Sequence, residues 1–287
     1  MPGKSRSEWG WMFLSEKTVW PYRYRRGSSA LIVSMPHVGT FIPRSVGRAL
    51  SDCAARRPDT DWHLPRLYDF LDELGATVVA ATHSRYVVDV NRPPDGANLY
   101  PGQDTPRLCP IDTFHSEPLY RGGIEPGADE IARRVAAVWQ PYHRRLAAEI
   151  TRVRAEHGAA VLWDAHSIVS EVPRLFPGRL ADFNLGTGGG ASCDPRLASA
   201  LLVALSRQMG YTAVLDGRFQ GGYITRHYGD PAAGVHAIQM EMAEAVYMEE
   251  TSPFAFRRDL AERVRPILRE QLEIALAHVN RNAPARV

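Results

Sequence analysis

The sequence predicts an α/β fold in which a mixed, largely parallel sheet is covered by helices on both faces. Three observations carry that reading. Short apolar runs of strand length alternate along the chain with longer segments of helical periodicity. Those short runs are close to continuously apolar, as strands buried on both faces require. Neither an internal repeat nor a linker long enough to separate two bodies interrupts the pattern, so residues 28–287 are expected to form one domain.

Residues 1–27 are mixed and polar and read as an extension or an edge strand. Residues 29–35 form a buried strand, partly β-branched and stopped by Pro36. Asp59-Thr60-Asp61 reads as a helix start with Asp59 or Thr60 able to cap. Leu64, Leu67, Tyr68, Leu71 and Leu74 then follow at helical spacing until Gly75. Residues 77–81 and 86–90 are two further strands, the second running into Asn91-Arg92-Pro93-Pro94. Residues 93–127 are rich in Pro, Gly and Asp and lack periodicity; a loop that long in a compact domain is usually functional.

Residues 130–157 form an amphipathic helix striped by Ile131, Val135, Val138, Leu146 and Ile150, which Pro141 should kink or split. The strand at 159–163 ends in Asp164 and His166, and 172–195 is again irregular, with the run Gly-Thr-Gly-Gly-Gly at 186–190. A helix at 195–209, strands at 212–215 and 237–242, and a helix at 257–280 complete the pattern. Leu260, Val264, Ile267, Leu268, Leu272 and Ile274 stripe the last helix.

The bulk numbers narrow the function classes. Hydrophobic residues make up 45% of the 287 and charged residues 23%, as in an ordinary globular protein. A formal net charge of +2 argues against nucleic acid or a membrane surface as partner, and no apolar run approaches a membrane span. Three cysteines, Cys53, Cys109 and Cys193, lack metal or redox spacing and favour a reducing compartment. A cytoplasmic protein is the expectation.

Sites in open α/β sheets collect at the carboxyl ends of strands. His37, Asn91-Arg92, Asp164 with His166, and Glu241 all stand at or just past such ends. His37 and His166 supply two imidazoles for a catalytic zinc site, which needs three protein ligands and an open position. Asp61 is the best third ligand; its alternative role is a helix cap. Asp164 is either a ligand or the carboxylate that orients His166. Glu241, within an apolar strand, is the candidate general base, with Glu244 its competitor. Arg92, stiffened by two prolines, is the candidate substrate anchor, and Arg85 and Arg174 lie near the same rim. The glycine run at 186–190 matches neither a phosphate-binding loop nor a dinucleotide fingerprint.

With these residues assembled, the chain resembles the N-formylglutamate amidohydrolase family. The resemblance rests on "MPHVGTFIP" at 35–43, "TDWHLPRLYDFLDELGATVVAATHSRYVVDVNRPPDG" at 60–96 and "CPIDTFHSEPLY" at 109–120. It continues in "LWDAHSIVSEVPRLFPGRLADFNLGTGGGASCDP" at 162–195 and "GGYITRHYGDPAAGVHAIQMEMAEAVYM" at 221–248. It implies a phosphorylase/hydrolase-like three-layer α/β/α sandwich, similar to zinc carboxypeptidases and aspartoacylases. The implied activity is hydrolysis of N-formyl-L-glutamate to formate and L-glutamate, in one branch of histidine breakdown. In the wider group a His-x-x-Glu pair and a later His bind zinc, an Asn-Arg pair grips the substrate carboxylate, and a late Glu is the base. His37, His166, Asn91-Arg92 and Glu241 match those roles in order. Thr40 departs from the pattern by standing where the Glu ligand would be, which leaves Asp61 as the carboxylate.

The expectation is therefore one zinc per chain on His37, Asp61 and His166, with Glu241 moving the proton. The substrate is a small molecule with carboxylates, held by Arg92 with Asn91 and either Arg85 or Arg174. Tyr223 and His227 are candidates for the pocket wall. Two readings compete: a zinc amidase or peptidase for another acylated or acidic amino acid, and a non-catalytic protein binding acidic ligands.

Overall fold

The computed structural model describes residues 19–282; the start of the N-terminal extension lies outside the described residues. Seven strands form one sheet: β1 (Tyr22–Arg25), β2 (Leu31–Met35), β3 (Thr77–Ala81), β4 (Ala160–Ile168), β5 (Phe183–Gly186), β6 (Ala213–Leu215) and β7 (Val235–Ala243). Their order is β1-β3-β2-β4-β7-β5-β6. The central four, β3, β2, β4 and β7, are parallel, and β1 closes one edge antiparallel to β3. At the other side β5 is antiparallel to β7, and β6 runs parallel to β5. The sheet is mixed and largely parallel, and the extension contributes an edge strand.

Alternation along the strands assigns the layers. Ser34 and Asp164, paired in register, face the helix Gln140–His157, whose Tyr142 hydroxyl lies 2.9 Å from Ser34 Oγ. Trp163, pointing the other way, donates its indole N–H to the Tyr68 hydroxyl. On that second face the helix Arg258–Asn282 ties Arg265 to the carbonyls of Arg66 and Leu67, and it packs against the helix Pro195–Ser206. Helices thus cover both faces. β2, β3, β4, β5 and β7 are buried along their whole length, which is why β2, β3, β7 and the first half of β4 read as apolar runs.

Several elements differ from expectation for identifiable reasons. Residues 86–90 form no strand: they are a buried turn segment whose N–H groups find loop partners, Val87 on Ser84 O and Asp89 on Leu108 O. Apolarity there reports burial beneath the strand ends, not extension. The helix expected after residue 59 is only the turn Leu64–Leu67 followed by a tight turn at Asp69–Asp72. Neither Asp59 nor Thr60 caps it. His63 precedes the helix in a left-handed conformation, and Asp59 instead accepts the Phe114 N–H. Pro141 interrupts its helix without ending it. A wider turn at Val135–Trp139 joins Ala128–Arg134 to Gln140–His157 with helical backbone at both junctions, just before the proline whose missing N–H breaks the regular ladder. β5 emerges inside a stretch that read as irregular, and β4 runs five residues beyond Trp163.

Candidate active site

That extra length of β4 builds the site. β2 and β4 pair as far as Ser34 and Asp164, then β2 ends while β4 continues to Ile168 against β7 alone. The chain leaving β2 turns at Pro36 and sets His37 in the gap, beside His166 on the flank of β4 that β2 leaves unpaired. Asp61 comes in over both, its N–H donating to His37 O at 3.1 Å. The His37 and His166 rings lie 4.8 Å apart, with their Nδ1 atoms separated by 3.1 Å. Asp61 Oδ2 is 3.2 Å from His166 Nδ1 and 3.7 Å from His37 Nδ1. All three side chains are almost completely buried.

The far edge of each ring is fixed. His37 Nε2 lies 2.7 Å from Asp89 Oδ1, and Asp89 is held in turn by Arg85 at 2.7 Å. His166 Nε2 lies 2.9 Å from Asp164 Oδ2, and Asp164 accepts from Ser34 Oγ at 2.8 Å and from the Asn91 amide at 3.2 Å. With Nε2–H donated outward to a carboxylate, each imidazole turns its Nδ1 lone pair inward, toward the other and toward Asp61. Three buried electron-pair donors repel one another unless a cation lies among them. Histidines that ligate metals are oriented by carboxylates in this way. Two imidazoles and one carboxylate suit zinc, and also iron, cobalt or manganese. His37, Asp61 and His166 can therefore hold a metal ion. Asp164 sits on the opposite side of its histidine and serves to orient it.

Without a metal, the field in the cluster is uneven. Burial would lower the basicity of His166, but Asp164 beside it, with Asp61 and Glu241, overrides burial and holds it well above the usual histidine range. His37 is pushed the other way, by burial and the Arg85 cation.

β7 adds the next pair of groups. Its Gln239 and Glu241 are in register with Asp164 and His166, so all four side chains share one face. Gln239 accepts the Gly222 N–H and donates to Glu241 Oε2 at 3.1 Å. Burial pushes the Glu241 carboxyl up to about 8, with nearby Asp61 adding to the rise and His166 opposing it. Glu244 lies past the strand end, buried and outside the cleft, with Oε2 lacking a hydrogen-bond partner among the described residues. Of the two glutamates, Glu241 lines the cleft and Glu244 does not.

A cleft opens from this cluster toward the 93–127 loop, which supplies Tyr100, Thr105, Pro106 and Phe114 to its wall. Arg92 lines it, with Nε donating to Pro106 O and Nη1 to Asn91 O. Asn91 lines it too, but its amide is committed: Oδ1 accepts the Ile224 N–H, and Nδ2 serves Asp164 beside His166. Arg85 borders the cleft with its charge matched by Asp89 and its plane over Phe114. Arg174 stands outside the cleft lining, paired with Asp104 and Asp112. Tyr223 is outside it as well, stacked on His227 with ring centroids 4.7 Å apart. Cys109 is buried, with its thiol pushed up to about 11, which disarms it as a nucleophile.

Four residues of the site were not singled out in the sequence: Asp89, Gln239, Arg218 and Tyr100. Asp89 and Gln239 had a legible signal, since Asp89-Val90-Asn91 and Gln239-Met240-Glu241 repeat the polar-apolar-polar spacing of Asp164-Ala165-His166. Arg218 and Tyr100 belong to loops and had none.

The family model for N-formylglutamate amidohydrolase matches residues 29–248, a segment that contains every residue of the cluster. The chain belongs to the N-formylglutamate amidohydrolase family. It is 54% identical over 254 residues to the N-formylglutamate deformylase of Pseudomonas aeruginosa, covering 88% of this chain and 95% of that one. Its identity to the N-formylglutamate deformylase of Pseudomonas putida is 50% over 254 residues, with the same coverage of both chains. The crystal structure of N-formylglutamate amidohydrolase from Ralstonia eutropha JMP134 superposes with a TM-score of 0.77. It is 26% identical, and the match covers 92% of this chain and all of that one. The α/β architecture is thus that of an N-formylglutamate amidohydrolase. No helix among the described residues is long and apolar enough to cross a membrane.

Proposed function

We propose that the protein hydrolyses N-formyl-L-glutamate to formate and L-glutamate, the deformylation step in one branch of histidine breakdown, as a zinc enzyme. The observation that carries this reading is the cluster itself: His37 Nδ1, His166 Nδ1 and Asp61 Oδ2 converge, and each imidazole is steadied from behind by its own carboxylate. When bound there, zinc supplies Lewis acidity, acidifying the attacking water and polarising the formyl carbonyl.

The chain's own groups do the rest. Glu241, beside His166 and raised by burial, takes the water's proton. Gln239 holds its Oε2, which leaves Oε1 to carry that proton to the leaving amide nitrogen. Arg92 binds a substrate carboxylate in a half-buried setting where a bidentate contact is strong. Asn91 acts from behind, holding Asp164 and the start of the helix Tyr223–Tyr228 in place. A formyl group offers little to bind, so affinity must come from the carboxylate end of the substrate. The support comes from the donor geometry and from relatives that carry the deformylase name over nearly their whole length.

Formate release from N-formylglutamate, measured beside N-acetylglutamate and N-formylaspartate, tests the proposal. N-Formylglutamate should be turned over with the highest kcat/KM. A preference for either of the others would reassign the substrate.

A further inference from the structure

The cleft contains more positive charge than one substrate carboxylate needs. Arg218, in the loop after β6, lines it together with Arg92. The guanidiniums of the other candidate arginines are spoken for, Arg85 by Asp89 and Arg174 by Asp104 and Asp112. Arg92 and Arg218 differ. Arg92 donates only to the carbonyls of Pro106 and Asn91, and Arg218 to that of Leu175. Among the described residues, neither forms an ion pair with a carboxylate. Both are half-buried, and burial depresses both from the usual arginine range, with the Arg92 charge adding to the effect on Arg218. Two partly desolvated cations with no directly paired carboxylate in one cleft are costly, and a ligand with two negative charges relieves both.

The two arginines are also placed in sequence along the cleft. Arg92 follows directly on Asn91, whose amide touches Asp164 and His166, so it belongs to the inner end. Arg218 stands instead against the aromatic wall, with no hydrogen bond to the cluster among the described residues: its guanidinium lies 5.3 Å from the Phe219 ring centroid and 5.5 Å from that of Tyr100. Tyr100 in turn bonds its hydroxyl to Gly221 O at 2.9 Å, joining the 93–127 loop to the Arg218 loop. In an N-acylated glutamate the α-carboxylate is two bonds from the amide nitrogen and the side-chain carboxylate four. With the amide at the cluster, the inner arginine meets the α-carboxylate and the outer one the side-chain carboxylate.

We infer that Arg218 binds the side-chain carboxylate of the substrate and sets the preference for a dicarboxylic N-formyl amino acid. This rests on the function proposed above. Arg218 acts as a specificity residue, and Arg92 serves the carboxylate that every N-acyl amino acid has.

The test compares kcat/KM for N-formylglutamate and N-formylglutamine in the wild-type chain, Arg218→Met and Arg218→Lys. Methionine keeps much of the apolar stem, and turnover of the glutamine compound reports an intact site. Arg218→Met should lower kcat/KM for N-formylglutamate roughly 100-fold or more while leaving N-formylglutamine within about threefold, so the selectivity ratio collapses. Arg218→Lys should fall between, since it keeps the charge and loses the fork. An unchanged ratio, or equal losses on both substrates, overturns the assignment. A wild-type chain inert toward N-formylglutamate overturns the underlying function instead, and is told apart because it appears before any substitution is made.

Discussion

The Nδ1 atoms of His37 and His166 lie 3.1 Å apart, and each ring is tethered through its Nε2 to a different carboxylate, Asp89 and Asp164. This relationship ties the strand ends to the chemistry: two ring edges are fixed outward so that two lone pairs must converge inward. It makes the tethering carboxylates as consequential as the imidazoles they orient.

Asp164→Asn should therefore weaken zinc binding by roughly 10–100-fold, because an amide steers the His166 tautomer poorly. Competition against a chromophoric chelator measures this directly. An unchanged affinity would show that Asp164 does no more than accept the Ser34 and Asn91 hydrogen bonds.

Glu241→Gln should reduce kcat by about 10²–10⁴-fold with little change in KM. In the wild type the carboxylate form is the base, so kcat/KM should rise with pH on the acid side. That limb lies below 8, since a bound cation draws the carboxyl down from its metal-free value of about 8. The metal-free protein offers a second readout. The folded carboxyl keeps its proton up to about 8, whereas the unfolded one loses it near the ordinary glutamate value of 4.5, so the folded state binds more protons between them. Stability from this group is present below the unfolded value and declines as pH rises through that window. Urea midpoints of chelated wild type should show the decline, and those of chelated Glu241→Gln should lack that part of it.

Gly222→Ala should disturb the site without touching a reacting group. A Cβ there would stand 2.4 Å from Asn91 Nδ2 and 2.6 Å from Oδ1, so the Asn91 side chain must move and release Asp164 and the Ile224 N–H. A displacement of that size typically costs up to about 100-fold in rate. Steady-state kinetics on folded protein, checked by circular dichroism, measures it.

Arg92→Ala and Arg174→Ala should separate cleanly. Removing Arg92 should cut kcat/KM by roughly 100-fold or more through loss of a charge-assisted anchor. Removing Arg174 should leave it within about threefold, because its charge is spent on the partly exposed Asp104 and Asp112. Equal effects from the two would contradict the placement of the substrate in the cleft.

The buried parallel strands were legible because their apolar runs cannot be mistaken for surface. His37, His166 and Glu241 stood out as polar groups in those runs, and Asp61 as a carboxylate with no competitor from the Thr40 position. The same rule misread residues 86–90, where buried β-branched side chains sit in a turn. It also cut β4 short at Trp163, because Asp164 and His166 are polar yet still in the strand. Reading Asp164, His166, Gln239 and Glu241 as alternate positions would have extended both strands and placed all four on one face. Arg218 and Tyr100 were beyond reach: their roles come from two loops, far apart in sequence, meeting across the cleft. Arg174 misled for the complementary reason, since its acidic partners are remote in the chain.

The most direct test of the metal-centred site is zinc content by plasma mass spectrometry, paired with formate release from the same preparation and from His166→Ala. About one zinc per chain, lost together with activity in the variant and on chelation, is the expected result. Metal-free protein that releases formate at the full rate would contradict it.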